Sequence, residues 1–150
     1  MEARVSEEMK LSAETDFRVE FYDVDMMRVV WHGSYPKFLE LGRCVLLDKL
    51  DYGYGAMESS GYAWPVVDMR IKYLKPLLFK QVARIRTTLL DYENRIRLGF
   101  LIFDPESGAR FTKAESVQMA VDMKSGESLF ACPECFLSRV RAQLVREEKK

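Results

Sequence analysis

Residues 34–50 read SYPKFLELGRCVLLDKL. Tyr35, Phe38, Leu39, Leu46 and Leu50 recur at helical spacing, and Gly42 falls on the same stripe. Pro36 sits in the first turn, where a missing N–H costs nothing. Gly53 and Gly55 lie past the far end. The pattern predicts a helix of about four to five turns whose apolar face is wide enough to be mostly covered. The element that covers it decides the fold.

The flanking sequence answers with period two. Thr15 to Asp23, TDFRVEFYD, sets Phe17, Val19 and Phe21 against Arg18, Glu20 and Tyr22, a half-buried strand. Four more runs come after the helix. In Trp64 to Leu74, Val67, Met69, Ile71 and Tyr73 share one face, and Asp68, Arg70 and Lys72 the other. Val82 to Leu90 turns Ala83, Ile85 and Leu89 away from Arg84 and Arg86. Arg95 to Phe103 does the same with Ile96, Leu98, Phe100 and Ile102 against Arg95 and Arg97. In Phe111 to Met123, Val117, Met119, Val121 and Met123 are expected inside, opposite Ser116, Gln118 and Asp122. The turns DYEN and DPESG make consecutive strands antiparallel neighbours. Pro133 to Lys150 is charged and helix-prone, with Phe136, Val140 and Leu144 at i, i+4 and i+8. The expected architecture is α+β, one antiparallel sheet curled round one long helix. Residues 1–14 are polar and expected to fray.

The whole chain has 150 residues, the length of one domain. Its core is expected over about 15–125, with a terminal helix over about 133–149. Hydrophobic residues make up 48% and charged residues 31%, which is globular composition and excludes disorder or collagen. Lys plus Arg and Asp plus Glu are both 23, so neither a basic excess for nucleic acid nor an acidic tail exists. No apolar run approaches the ~18 residues needed to span a bilayer. The charged start MEARVSEEMK lacks a signal peptide's apolar run. The expectation is a soluble cytoplasmic protein. Three cysteines, Cys44, Cys132 and Cys135, do not make a disulfide scaffold. The Cys132–Cys135 spacing suits a metal knuckle, but a zinc site needs about four ligands and Cys44 and His32 are the only soft donors left; two cysteines at the entry to a last helix is the preferred reading, and no metal or cofactor is expected. With a single histidine, chemistry at His32 must work alone or with carboxylates.

Chemistry concentrates in Phe21 to Arg43, FYDVDMMRVVWHGSYPKFLELGR. Two aspartates, Asp23 and Asp25, precede a strand-to-helix junction at Trp31-His32. A helix start presents unpaired N–H groups and a positive dipole end, able to stabilise an oxyanion without a cationic side chain. An aspartate beside it suits a base or a nucleophile. The same aspartates also suit turn and cap roles.

The pattern Tyr22-Asp23-x-Asp25, Val29-Val30-Trp31-His32-x-x-Tyr35, Phe38-x-Glu40-x-x-Arg43 resembles the signature of hotdog-fold acyl-CoA thioesterases, in the branch of 4-hydroxybenzoyl-CoA thioesterase and the Tol–Pal-associated enzymes. The block Trp64-Pro65-Val66-Val67 to Ile71-Lys72-Tyr73-Leu74-Lys75-Pro76 is similar to the segment after the central helix in that family. The resemblance spans about residues 15–125. It implies a sheet wrapped round a central helix, homodimers or homotetramers with sites at the dimer interface, and hydrolysis of an acyl-CoA to free acid and CoA. It makes Asp25 the catalytic carboxylate, as general base or nucleophile. It assigns carbonyl polarisation to backbone N–H around His32 and Gly33, with the His32 side chain assisting. Arg28 departs from the family, where glycine is usual: its cation is expected to disturb the turn or lower the carboxylate's pKa. Ser34 stands at a position usually Asn-like. CoA phosphates call for basic residues, with Lys72, Lys75, Lys80, Arg95 and Arg97 as candidates. An acyl tunnel calls for Tyr35, Phe38, Leu39, Met57 and Trp64, which suit an ordinary core equally. Two alternatives stay open: a non-catalytic acyl-CoA or acyl-carrier binding module, with Arg28 as its mark, and a hotdog hydratase, whose motif spacing this chain does not match.

Overall fold

The computed structural model describes residues 11–149. The elements are β1 (Ser12–Arg18), α1 (Tyr35–Lys49), α2 (Tyr54–Ser60), β2 (Tyr62–Ala63), β3 (Val66–Tyr73), β4 (Val82–Asp91), β5 (Ile96–Phe103), β6 (Arg110–Gln118), β7 (Val121–Asp122) and α3 (Glu134–Glu148). Five strands form one antiparallel sheet in the order β1-β4-β5-β6-β3, and β2 pairs with β7. The sheet packs round α1, which lies against β1, β4 and β5. This is the α+β arrangement expected from the two periods.

The stripe that predicted the helix is buried: Tyr35, Phe38, Leu39, Gly42 and Leu46 are inside, as is Leu50 just past its end, and Leu47 joins them. Gly42 sets how closely α1 approaches β4, since a Cβ there would come 2.3 Å from Thr87 Oγ1. From β4 and β5, Ala83, Ile85, Leu89, Ile96, Leu98, Phe100 and Ile102 fill the other side of the core. Burying each such large side chain is worth about 1.5–3 kcal/mol relative to leaving it in water. The terminal helix α3 closes one end, with Phe136 and Val140 fully buried and Phe136 packed on Tyr52 and Trp64. No helix among the described residues is long and apolar enough to cross a membrane.

Three expectations are corrected, and one element is additional. The first strand ends at Arg18, and Phe21–Asp23 form a helical turn closed by a reciprocal capping pair between Glu20 and Asp23. That strand also begins earlier than expected: Leu11 is buried and Ser12 already pairs with Thr88, so of the segment expected to fray only residues 1–10 lie outside the described residues. The short helix α2 has no periodic signal, being rich in Gly and Ser. The face of β6 is inverted: Ser116 and Gln118 are buried, whereas Val117 is half-buried on the opposite face. The reason is polar satisfaction. Arg43, buried on α1, donates to Ser116 Oγ at 3.0 Å, and Gln118 Nε2 donates to the Trp64 carbonyl at 2.8 Å.

Candidate active site

Between the helical turn at Phe21–Asp23 and α1 the chain forms a miniature hairpin. Val24 bridges Val30, the Asp25 N–H donates to the Val29 carbonyl at 3.0 Å, and the Trp31 N–H to the Asp23 carbonyl at 3.0 Å. Asp25 to Arg28 is its tip, closed by the Arg28 N–H on the Asp25 carbonyl at 3.0 Å. Arg28 takes φ +64°, the left-handed position a three-residue hairpin loop needs and glycine fills most easily. Arginine therefore preserves the turn at a conformational cost. The backbone secures it from behind: the Phe79 N–H donates to the Arg28 carbonyl at 3.1 Å, and the Val30 N–H to the Leu77 carbonyl at 2.9 Å. The guanidinium lies over the Phe79 ring, 5.7 Å from its centroid, and no ion pair joins it to Asp25 among the described residues.

The two aspartates have different surroundings. Asp23 is buried, accepts the Glu20 N–H at 2.8 Å and pairs with Lys37. Its backbone carbonyl also accepts from Ser34 Oγ at 3.0 Å, tying the turn to the foot of α1. Asp25 is exposed; Oδ1 accepts the Met27 N–H at 2.8 Å, and Oδ2 has no partner among the described residues. One oxygen is thus held by the turn and the other faces solvent.

His32–Ser34 is a single 3-10 turn running into α1. The N–H groups of His32 and Gly33, first in that turn, have no acceptor among the described residues. The His32 ring leans on Trp31, 5.1 Å between centroids. A Cβ on Gly33 would fall 2.2 Å from the Trp31 ring, so the glycine makes room for that indole. The approach of a substrate expected there has a second tenant. Tyr73 of β3, which sequence reasoning did not single out for the site, donates its hydroxyl to the His32 carbonyl at 3.1 Å and stacks edge-on against Tyr35. The signal was the alternation that puts Tyr73 with Met69 and Ile71, toward α1. Tyr35 itself is buried, and burial pushes its hydroxyl pKa up, with a hydrogen bond to the Leu77 backbone pulling against it.

The remaining candidates scatter. Phe38, Leu39 and Met57 are core residues. Trp64 is buried too: its Nε1 donates to the Tyr52 hydroxyl at 3.1 Å, under α3. Arg95 pairs with Asp91 at 3.4 Å in the β4–β5 turn, and Arg97 with Glu115 at 3.7 Å. These lie toward Asp91, whereas the hairpin docks beside Val82, where β4 begins; the ten-residue strand sets its ends roughly 30 Å apart. Within one chain, Trp64 and Arg95 therefore do not share a site with Asp25. Lys72 leaves the outer sheet face, and Lys75 lies near Asp104, whose carboxyl is held low chiefly by the Glu106 backbone N–H, with a smaller contribution from Lys75. Lys80 does approach the hairpin, its ammonium 5.5 Å from the Phe79 centroid. Met27, Arg28, Leu78, Phe79 and Lys80 border a groove of about 330 Å³.

The comparisons with known proteins agree with this fold. The model of the Thioesterase-like superfamily matches residues 19–145. YneP of Bacillus subtilis, named as a candidate acyl-CoA thioesterase, is 34% identical over 111 residues, 73% of this chain and 80% of that protein. Among solved structures, the chain is similar to a DHNA-CoA thioesterase from Staphylococcus aureus, with TM-score 0.77 and 22% identity over 93% of this chain and 95% of that one. It is also similar to Slr0204, a 1,4-dihydroxy-2-naphthoyl-CoA thioesterase from Synechocystis, with TM-score 0.75 and 15% identity over 87% and 96%. These likenesses show the hotdog fold.

Proposed function

The chain belongs to the Thioesterase-like superfamily and, on that premise, we propose that it hydrolyses an acyl-CoA thioester to the free acid and CoA. The observation that carries the proposal is the pairing of an exposed carboxylate, half engaged by its own turn, with a helix start whose first N–H groups have no acceptor among the described residues. In this reading Asp25 Oδ2 takes a proton from water as it adds to the carbonyl, after which the C–S bond breaks and the CoA thiolate leaves with that proton; or Oδ2 attacks that carbon directly, expelling CoA thiolate to form an anhydride that water then hydrolyses to free acid and aspartate. The developing oxyanion is held by the N–H groups of His32 and Gly33, donors already oriented and therefore free of reorganisation at the moment of reaction. The His32 side chain assists, and Tyr73 is a positioning residue because it fixes the His32 carbonyl.

CoA brings phosphates, and Arg28 and Lys80 flank Phe79 beside the hairpin, where they supply cations without touching the carboxylate. This gives Arg28 a binding role in place of an inhibitory one. The assembly is a homodimer or homotetramer. In one chain the site is open, and Phe21, Tyr22, Met26, Met27, Trp31 and Leu78 expose apolar side chains around it. A patch of that kind calls for a partner surface. Edge strand β3, paired only with β6 among the described residues, offers the backbone for the association.

The test is CoA release from a panel of aromatic and aliphatic acyl-CoAs, combined with light scattering. Turnover of at least one ester by an oligomer supports the reading. A monomer at micromolar concentration with full activity removes the shared site, and acyl-CoA binding without turnover of any panel member points to the binding module.

A further inference from the structure

The sheet face turned away from α1 carries charge in an arrangement that folding alone does not explain. Alternate residues of a strand leave opposite faces, so the neighbours of the core residues Ile71, Ala114, Phe100 and Ile85 emerge outside. In register across the sheet, Lys72 lies opposite Lys113, Lys113 opposite Leu101, and Leu101 opposite Arg86. The next row is Arg70, Glu115, Gly99 and Thr88. Gly99 has no side chain, so the surface dips there; a Cβ would meet Leu90 Cδ1 at 3.0 Å. The result is an open depression of about 550 Å³. Gly99, Leu90 and Leu101 form its floor; Arg70, Lys72, Arg110 and Lys113 stand on its rim.

The rim is not neutralised from within. Glu115 turns to Arg97 at 3.7 Å, and Arg86 to Glu14 at 3.4 Å. Arg70, Lys72, Arg110 and Lys113 have no ion-pair partner among the described residues. Like charges directly opposite on neighbouring strands destabilise a sheet, so the Lys72–Lys113 pair is a cost in the empty protein that an anion would relieve. An apolar floor inside a cationic rim matches a molecule with a flat ring at one end and clustered negative charge at the other.

We propose that this outer sheet face is a binding site for an adenine-nucleotide polyphosphate, its base on the Gly99–Leu90–Leu101 floor and its phosphates between Lys72, Lys113, Arg110 and Arg70. The site shares no residue with the Asp25 hairpin or the start of α1, and it does not rest on the reading of either. The 3′-phosphorylated nucleotide end of CoA carries similar chemistry, but its phosphates are assigned to Arg28 and Lys80, so the occupant proposed here is a free nucleotide.

Calorimetric titration of the full chain at low salt tests it, with ADP, adenosine 3′,5′-bisphosphate and inorganic pyrophosphate as probes. Wild type is compared with Arg110→Gln/Lys113→Gln and with Gly99→Val, each checked by thermal unfolding. At least one nucleotide is expected to bind wild type more tightly than pyrophosphate, and more weakly as salt is added. The charge variant should bind at least tenfold more weakly while unfolding at the same temperature or higher. Gly99→Val, which fills the floor and presses only on the flexible end of Leu90, should bring nucleotide affinity down to that of pyrophosphate. Preference for ADP supports the site, whereas preference for the bisphosphate makes the face part of the CoA substrate site and overturns it. No nucleotide binding by wild type at millimolar concentration, affinities unchanged in both variants, or pyrophosphate as tight as the nucleotides would overturn it. Hydrolysis is measured separately, so failure here leaves the reaction assigned to Asp25 standing.

Discussion

Asp25→Asn and Asp23→Asn should separate cleanly, one losing rate and the other stability. At Asp25, the amide oxygen of asparagine still accepts the Met27 N–H, so the turn and the fold survive. The carboxylate's basicity is lost. Losing a positioned acid–base group costs about 10²–10⁴-fold in turnover, and at 1.36 kcal/mol per tenfold that is about 2.7–5.5 kcal/mol of barrier. At Asp23 the carboxylate is buried and serves the Glu20 N–H and Lys37 together. Asparagine keeps one acceptor and presents an N–H₂ where the ammonium was paired. Damage to a buried, charge-assisted pair of bonds costs about 1–3 kcal/mol. In a chain of this size each kcal/mol is worth about 2–4 °C of melting temperature. Asp23→Asn should therefore melt about 2–12 °C lower while keeping kcat within a few-fold at a temperature where it is folded. The assay is CoA release under saturating ester, alongside thermal denaturation of both variants. A folded Asp25→Asn with wild-type turnover refutes the catalytic role. A folded Asp23→Asn that loses turnover as severely, with melting unchanged, would exchange the two roles.

Three further variants test other parts of the geometry. Arg28→Gly relieves a left-handed residue, worth roughly 1–2 kcal/mol before the glycine's extra chain entropy is subtracted, so stability should hold or rise in denaturant titrations; KM for CoA esters should rise several-fold with kcat near wild type, and a tenfold rise in kcat would instead mean that the guanidinium had been suppressing Asp25. His32→Ala keeps its N–H and should lose less than tenfold in kcat, whereas Gly33→Pro, made in a Trp31→Ala background to clear the indole, removes a donor and should lose about 10²–10³-fold relative to Trp31→Ala alone; a folded His32→Ala as inactive as Asp25→Asn, beside a normal Gly33→Pro, would make the imidazole the key group. Burial pushes the Cys132 thiol up to about 12 from its ordinary 9.0, so it stays protonated in the fold and ionises sooner in the unfolded chain; stability should fall as pH rises from 9 toward 12, and Cys132→Ser, whose hydroxyl does not titrate there, should flatten that slope.

Most of the architecture is legible in periodicity because burial and period coincide wherever one face is apolar. The stripe of α1 and the alternation of β4 and β5 are such cases, and the apolar residues they place inside are buried. Periodicity fails on β6 for a definite reason. Hydrophobic alternation ranks Val117 above Ser116, but a buried arginine on the facing helix reverses the ranking, because Arg43 requires an acceptor inside. That demand comes from a residue about seventy positions away and leaves no mark in the local pattern. The short helix α2 is illegible for another reason: it is held by its place between α1 and β2, with Gly and Ser, poor helix formers, at four of its positions, Gly55, Ser59 and Ser60 within it and Gly53 as its cap.

The proposed site can be read in the sequence as a motif but not as a geometry, and the two aspartates show why. Carboxylates two residues apart in a continuous strand would leave the same face and share an environment. The expected strand over Thr15 to Asp23 carries that implication, and a pair so placed would repel. The chain breaks it with the helical turn at Phe21–Asp23, where the capping pair with Glu20 draws Asp23 inward. The hairpin after it turns Asp25 outward and commits one of its oxygens to Met27. Burial of the first aspartate thus builds the platform on which the second stands exposed: the Asp23 carbonyl receives both the Trp31 N–H and Ser34 Oγ, and so fixes the start of α1 against the hairpin. The carboxylate proposed for the chemistry faces solvent, and it is placed by one that is charged and buried. The Asp-x-Asp spacing alone does not distinguish the two environments; the turn between the residues does.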